Sequence, residues 1–321
     1  MGHGSYSYDT HTSALAARAS SSKEAVFAQR ACHALMNPKG VRLRESRDSD
    51  EHPNTTPVVF ALDVTGSMGQ IPDLLARREL PKFMKVLGDC QVPDPQLLFM
   101  AVGDATCDGA PLQVGQFETT AELMDQWLTW SFLEGGGGGQ GTESYELAMY
   151  FVAEHTDTDS FQKRKKPGYF FMTGDELPYP RVSKDQVEGY IGDTMDDDLP
   201  IEHVIAALSE TYHPFFLVPD VGRAKKIEGR WRELLGDHVI LMEGHELTCL
   251  VAGSIVALGE NRVADLNALS PLLESAGATR DQIGAVLRAI APWAATRGKT
   301  GASFPKSLSA TVASAWKRLV R

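Results

Sequence analysis

Apolar runs that alternate with helical stretches are the feature that most constrains the fold of this 321-residue chain. Continuous apolar runs of this length are typical of strands that helices cover on both faces. The strand candidates are VVFALDV (58–64), LLFMAVG (97–103), LQVGQF (112–117), GYFFMTG (168–174), PFFLVP (214–219) and HVILME (238–243). The helix candidates between them span 71–89, 119–133, 143–155, 201–212 and 223–236. This alternation predicts an α/β fold.

The second and third strand candidates are joined by a short connection, Asp104 to Pro111. A parallel crossover needs a dozen or more residues, so this pair is expected to form an antiparallel hairpin. The sequence therefore predicts a doubly wound, mostly parallel sheet with one antiparallel edge strand.

Helical extensions are predicted on both flanks of this α/β region. Residues 12–35 are Ala-rich and predict one or two helices, and 41–46 alternate like a short strand. After residue 245 the chain predicts helices at 246–259, 265–277 and 279–294, then a flexible segment at 296–307 and a short amphipathic helix at 310–320. The helix predicted at 279–294 opens with Thr279 and Gln282 in the spacing of a capping box. We divide the chain into an N-terminal helical arm with a short strand (1–56), the α/β domain (57–245) and a C-terminal helical extension with a basic tail (246–321).

The composition, 43% hydrophobic and 23% charged, is that of a globular protein. No uncharged apolar run reaches about 18 residues, and the first residues contain no apolar core of signal-peptide type. We therefore expect no transmembrane segment and a cytoplasmic protein.

The four cysteines are scattered without CxxC spacing, which favours reduced thiols over a disulfide framework or a zinc site.

The net charge of −11 is unevenly distributed. Residues 51–278 carry 16 Lys and Arg against 36 Asp and Glu, whereas residues 279–321 carry 8 against 1. The acidic centre disfavours DNA binding. The basic tail is compatible with an acidic partner, including RNA or a membrane surface, but a solvated helical face that pairs with the acidic body is the preferred interpretation.

The segment Asp63-Val64-Thr65-Gly66-Ser67-Met68-Gly69 directly follows the first strand candidate of the domain. In open α/β sheets, ligands bind outside the carboxyl ends of the strands. The spacing of Asp63, Thr65 and Ser67 allows one carboxylate and two hydroxyls to converge, a set that suits Mg²⁺ or Mn²⁺ better than zinc. Asp175, which follows the strand at 168–174, is the natural second carboxylate; a helix N-cap or a turn is its alternative role.

The segment DVTGSMG resembles the DxSxS element of the metal-ion-dependent adhesion site (MIDAS) of von Willebrand factor A (vWA) domains, with Thr65 in place of the first serine. That family's site also uses a threonine from a loop before a later helix and an aspartate after the fourth strand. The matching positions here are Thr142, at the end of the loop 134–142, and Asp175; Ser144 is the alternative to Thr142. The resemblance covers residues 57 to about 245 and is to intracellular, bacterial-type vWA proteins with a Rossmann-like fold.

The resemblance implies that a glutamate or aspartate of a bound protein partner completes the coordination of the metal. Two carboxylates and neutral hydroxyls leave positions in the metal's shell for such a ligand. Mg²⁺ is the expected ion, Mn²⁺ the next, and Ca²⁺ the least favoured. The family's intracellular relatives suggest a non-enzymatic scaffold or adaptor within a multiprotein complex.

Two other functions remain open at this stage. A metal-dependent hydrolase of phosphoesters is one, although the second Asp of a DxD motif and the Lys of a P-loop are absent from DVTGSMG and from the glycine run. An RNA-associated structural role is the other, through the basic tail with Trp293 and Trp316.

Three further features have competing interpretations. Asp104 either contacts a metal-bound water or opens the hairpin turn. Asp193 and residues 196–198 form an acidic cluster that lacks EF-hand spacing, which favours a solvated loop over a Ca²⁺ site. Trp127 and Trp130 have the spacing of one helical turn and are expected in the core.

Overall fold

The computed structural model describes residues 4–135, residue 139 and residues 141–297, except for the side chain of Ser67. The strands in this part of the chain are β1 Arg44–Ser46, β2 Thr56–Asp63, β3 Pro95–Val102, β4 Leu112–Val114, β5 Thr142–Glu143, β6 Thr156–Thr158, β7 Gly168–Thr173, β8 Leu177–Pro178, β9 Arg181–Val182, β10 Leu199–Pro200, β11 Tyr212–Val218 and β12 Val239–Leu241. The α-helices are α1 Tyr8–Ala17, α2 Lys23–Val26, α3 Gln70–Leu74, α4 Leu80–Asp89, α5 Ala121–Thr129, α6 Tyr145–His155, α7 Asp159–Arg164, α8 Lys184–Gln186, α9 Ile201–Thr211, α10 Val221–Leu235, α11 Thr248–Gly259, α12 Leu269–Ser275 and α13 Arg280–Thr296.

The main sheet has six strands in the order β12-β11-β7-β2-β3-β4. All neighbours are parallel except β3 and β4, which pair antiparallel with Met100 opposite Val114. The doubly wound, mostly parallel sheet with one antiparallel edge strand is thus confirmed. Three two-stranded sheets, β1-β6, β9-β10 and β5-β8, surround it.

The central strand β2 shows why the strands are apolar on both faces. Val58, Phe60 and Leu62 belong to one hydrophobic core, while Val59 and Ala61 belong to another on the opposite face. This alternation follows from the two-residue period of a strand. The first core contains residues of α4, α5, α11, α12 and α13, and the second contains residues of α6, α9 and α10. The molecule is therefore a three-layer arrangement with the sheet in the middle.

Two predicted helical segments differ from the observed ones. The segment predicted as one helix at 71–89 contains a π-helical turn, Leu75–Glu79, between α3 and α4. Pro81, near the start of α4, has no backbone N–H and so cannot donate the hydrogen bond that a regular α-helix needs at this position. The π-helical turn lies next to this missing hydrogen bond. The N-terminal arm is helical from Tyr8 rather than from residue 12, since the Ser7 hydroxyl accepts a hydrogen bond from the Thr10 N–H and caps α1.

The C-terminal extension is part of the same packed structure as far as it is described. Eleven of the twelve residues of α11, Thr248–Leu258, are buried, and the helix lies against α4 and α13. The capping box predicted at Thr279 and Gln282 is present at the start of α13. Within the described residues no helix combines the length and the apolar character needed to cross a bilayer. The helix predicted at 310–320 lies outside the described residues.

We predict that Ile255→Ala lowers the free energy of unfolding by about 2–5 kcal/mol, because the change leaves a cavity in the core between α11 and the sheet. Ile255 is fully buried. Urea denaturation followed by circular dichroism measures the change. Leu35→Ala is the matched control, since Leu35 is 57% exposed and its truncation is expected to have little effect. Equal destabilisation by the two variants would contradict the packing of α11 into the core.

Candidate functional site

The segment DVTGSMG begins at the carboxyl end of the central strand. Asp63 is the last residue of β2, and the short 3-10 turn Gly66–Gly69 leads into α3. From β2 the chain continues to β3 and β4 on one side of the sheet and later returns to β7, β11 and β12 on the other side. The strand order reverses between β2 and β7, which is the position where open α/β sheets form a ligand-binding crevice.

The carboxylate of Asp63 is fully buried and held by three hydrogen bonds. Its Oδ1 accepts from the backbone N–H of Thr65 at 2.9 Å and from the Thr65 hydroxyl at 2.7 Å. Its Oδ2 accepts from the Tyr145 hydroxyl at 2.7 Å. The two hydrogen bonds from Thr65 are local, because an aspartate in a turn commonly accepts from the residue two positions further along the chain. Tyr145, in contrast, is 82 residues away in the sequence.

Tyr145 links the ends of two strands. It is the first residue of α6 and is fully buried. A Cβ added to Gly174 would overlap the Tyr145 hydroxyl, so this position must be glycine for the tyrosine to reach Asp63. Because Gly174 directly precedes Asp175, the same close approach sets the position of the second sequence-predicted carboxylate.

Glu143 is a member of the site that sequence reasoning missed. It lies on β5, which pairs in parallel with β8, and its Oε1 is 3.0 Å from the Thr65 hydroxyl. Its other oxygen, Oε2, is buried and has no hydrogen-bond partner within the described part of the chain. Thr65 therefore lies between two carboxylates, Asp63 and Glu143. The position of Glu143 next to Thr142 was the sequence feature that could have indicated its role.

Asp175 is buried two residues beyond β7, near Asp63, and has a cationic partner. Its Oδ2 accepts a hydrogen bond from Arg223 Nη1 at 2.6 Å. Arg223 lies in the first turn of α10, which starts at the carboxyl end of β11, and its side chain is half exposed. Sequence reasoning missed this ion pair, although Arg223 follows a strand end at the same edge of the sheet.

The remaining sequence-predicted residues are less closely connected to Asp63. Thr142 precedes Glu143 on β5 and is half-buried. Ser144, its alternative, is buried, and its Oγ accepts a hydrogen bond from the Ala105 N–H at 2.9 Å. Ser67 lies on the turn Gly66–Gly69, and its side chain is outside the described part of the structure.

Burial gives the site unusual acid–base properties. It raises the pKa of Asp63 to about 7, although the hydrogen bonds from Tyr145 and Thr65 oppose this change. Burial, followed by the nearby charge of Asp63, raises the pKa of Glu143 to about 8. Among the described residues, no lysine, arginine or histidine forms an ion pair with either carboxylate. Above these pKa values, the site therefore carries two negative charges that no described lysine, arginine or histidine compensates by an ion pair.

The residues present fit a hard divalent cation with a small protein ligand set. No group of three or more His, Cys, Asp or Glu side chains within the described residues is arranged to hold a metal ion. Mg²⁺, however, is commonly bound through one or two carboxylates, with water completing its shell. Asp63 and Glu143 around the Thr65 hydroxyl supply two carboxylates, and Glu143 Oε2 is a buried oxygen to which no described residue donates a hydrogen bond.

The structure gives local contacts for the other features that the sequence singles out. Asp104 Oδ1 accepts from the Thr106 N–H at 2.9 Å, the geometry of the turn that opens the hairpin. Asp193 Oδ2 accepts from the Tyr150 hydroxyl and contacts His155 Nε2, which anchors the start of the acidic loop. Trp127 is buried and Trp130 packs against the same core. In the basic tail, Arg288 pairs with Glu243, and residues 298–321 lie outside the described residues.

No family model matches the chain, and no curated protein matches it. Solved structures with a similar arrangement include the pilus adhesin SpaC from Lactobacillus rhamnosus GG in its open conformation, with 9% identity and a TM-score of 0.45 over 68% of this chain and 32% of that one. Proximal thread matrix protein 1 from the mussel byssus gives 12% identity and a TM-score of 0.39 over 66% of this chain and 50% of that one. A von Willebrand factor type A protein from Catenulispora acidiphila gives 12% identity and a TM-score of 0.31 over 64% of this chain and 42% of that one. This chain thus spans half or less of the length of these proteins, and its fold class rests on the strand order described above.

Proposed function

We propose that this protein is a metal-dependent protein-binding module that uses a MIDAS-type site to coordinate an acidic residue of a partner. In this proposal Mg²⁺, or Mn²⁺ in its place, is bound at the carboxyl end of β2, with Ca²⁺ the least favoured ion. Asp63 and Thr65 are the central ligands, and Ser67, Thr142 and Asp175 are the further positions that the resemblance to vWA domains suggests. The proposed context is an intracellular scaffold or adaptor within a multiprotein complex.

The observation that carries this proposal is the fully buried Asp63 carboxylate without a cationic partner among the described residues. Burying an ionised carboxylate is costly unless a positive charge or a proton compensates it. A divalent cation at Asp63 would supply that charge. The neutral hydroxyl of Thr65 would leave positive charge on the ion and exchangeable waters in its shell, which attract a carboxylate from outside.

The described residues favour this function over a hydrolase. A two-metal phosphoester hydrolase needs a second cation site about 3.5–4 Å from the first. No group of three or more His, Cys, Asp or Glu side chains within the described residues is arranged to hold a metal ion, and DVTGSMG lacks the second Asp of a DxD motif. Arg223, a cation that could contact a phosphoryl group, is paired with Asp175.

We predict that the metal-free, chelator-treated protein binds one equivalent of Mg²⁺ or Mn²⁺ and that Asp63→Ala abolishes this binding. Isothermal titration calorimetry measures both, and circular dichroism verifies that the variant is folded. Glu210→Ala is the control, because Glu210 is exposed near the end of α9, just before β11 begins, and its removal deletes the same charge at the opposite edge of the sheet. Absence of saturable binding by the folded wild type would contradict the metal site.

The partner is tested in a second step that depends on the metal. A partner captured in Mg²⁺ is expected to be released by EDTA and to be absent from a capture with Asp63→Ala. Retention of the same partner in EDTA would contradict a carboxylate–metal contact as the basis of binding.

We predict that the metal-free protein becomes less stable as the pH rises from about 4 to about 8. The pKa of Asp63 is raised from 3.8 to about 7 and that of Glu143 from 4.5 to about 8, so the folded state binds more protons than the unfolded state in this window. Each group then lowers the free energy of unfolding by about 1.4 kcal/mol per pH unit between its two pKa values. Urea denaturation in EDTA at several pH values measures this slope.

Asp63→Asn is expected to reduce the slope, because the amide does not titrate. Saturating Mg²⁺ is expected to reverse the trend at pH 7–8, since metal binding competes with protons and stabilises the folded state. A slope in EDTA that is identical in wild type and Asp63→Asn would contradict the raised pKa of Asp63.

A further inference from the structure

We propose that Glu143, rather than Asp175, is the second carboxylate ligand of the metal at Asp63. This inference rests on the proposed function and concerns which residues hold the ion. It departs from the ligand set that the resemblance to vWA domains suggests, and it is derived from the contacts of Thr65, Glu143 and Asp175.

Thr65 brings the two carboxylates together. Its hydroxyl is 2.7 Å from Asp63 Oδ1 and 3.0 Å from Glu143 Oε1. A hydroxyl has one proton and can donate to only one of these oxygens at a time. When both carboxylates are ionised, a cation beside the Thr65 oxygen would contact ligands from three side chains and would separate two negative charges that otherwise repel each other.

Glu143 has coordination capacity that the protein leaves unused. The residue is only 5% exposed, and its Oε2 is a buried oxygen without a hydrogen-bond partner among the described residues. A buried polar atom without a partner costs free energy, so such atoms in folded proteins call for a specific explanation. A metal ion that accepts Glu143 as a ligand satisfies this oxygen.

The backbone holds Glu143 in place from both sides. Glu143 is opposite Pro178 in the parallel pair of β5 and β8. The next residue, Ser144, donates its N–H to the Gly103 carbonyl at 3.1 Å and accepts a hydrogen bond on Oγ from Ala105. These contacts fix the direction in which the chain passes the Thr65 loop, so the carboxylate is positioned before any ion binds.

Asp175 is already compensated. Arg223 Nη1 donates to its Oδ2 at 2.6 Å, and the guanidinium also lies 4.0 Å from Glu176. For Asp175 to coordinate the ion directly, this ion pair would have to be exchanged for the metal. Glu143 has no such competitor among the described residues.

Glu146 provides a matched comparison. It is also buried, and its Oε1 also has no hydrogen-bond partner in the described part of the structure, but its other oxygen accepts a hydrogen bond from the Tyr179 N–H at 3.3 Å rather than contacting Thr65. Burial raises the pKa of Glu146 well above its ordinary range. Replacing Glu146 with glutamine keeps the shape of the side chain and leaves the oxygens around Thr65 unchanged.

The test is Mn²⁺ titration of the full chain, with free Mn²⁺ measured by electron paramagnetic resonance and total binding by calorimetry. We expect Glu143→Gln to weaken binding at least about tenfold, because loss of even an outer partner of a metal ligand costs about 10- to 100-fold in affinity. Glu146→Gln is expected to bind like the wild type, and Asp175→Asn to lose less affinity than Glu143→Gln.

A stability measurement separates a metal ligand from a structural residue. In EDTA, Glu143→Gln is expected to be about as stable as the wild type, because the amide oxygen can take the place of Glu143 Oε1 beside the Thr65 hydroxyl; in Mg²⁺ it is expected to gain less stability than the wild type. If Glu143→Gln fails to fold, Glu143→Asp keeps the charge but retracts the carboxylate by one methylene, and it is expected to weaken Mn²⁺ binding. Unchanged binding by Glu143→Asp would then overturn the inference.

The outcomes distinguish the two proposals. A folded wild type that does not bind Mn²⁺, or binds it equally well as Asp63→Asn, would overturn the proposed function and this inference together. Binding that is lost in Asp63→Asn and Asp175→Asn but retained in Glu143→Gln would overturn this inference alone and leave the proposed function standing.

Discussion

The arrangement at the carboxyl edge of the sheet depends on the buried carboxylate of Asp63. A carboxylate at the end of a central strand loses its water when helices cover both faces of the sheet, and the protein compensates with hydrogen bonds from Thr65 and Tyr145. These bonds connect the loop after β2 to the start of α6. Tyr145 in turn requires Gly174, whose lack of a side chain allows the hydroxyl to pass the end of β7. One buried charge thus couples three separate segments of the chain.

The two hydrophobic cores give this edge its rigidity. Both faces of β2 are covered, and the C-terminal helix α11 is buried nearly throughout its length against α4. Close-packed interiors permit little movement of the strands they enclose. The side chains at the strand ends therefore occupy defined positions, which is the condition for a ligand site with few protein groups. This burial has an energetic cost, because it disfavours the ionised forms of Asp63 and Glu143 and so raises their pKa values.

Much of the fold could be predicted because its physical causes are local or periodic. Apolar runs without alternation indicated strands covered on both faces, and the short connection after Asp104 indicated the antiparallel pair of β3 and β4. The capping box at Thr279 was recognisable from two residues. The π-helical turn at Leu75–Glu79 was not predicted, because the apolar residues of 71–89 have the same helical periodicity before and after Pro81.

The sequence by itself determined the sheet, its buried faces and the placement of Asp63 and Thr65 in one turn, since these follow from side-chain periodicity and from bonds between residues two positions apart. Only the tertiary structure decided which distant groups meet there. Glu143 approaches Thr65 across 78 residues, and Arg223 reaches Asp175 across 48. Such contacts depend on how helices and short strands pack around the sheet edge. No local sequence pattern encodes a contact over so long a sequence separation, or the balance of charges that results from it.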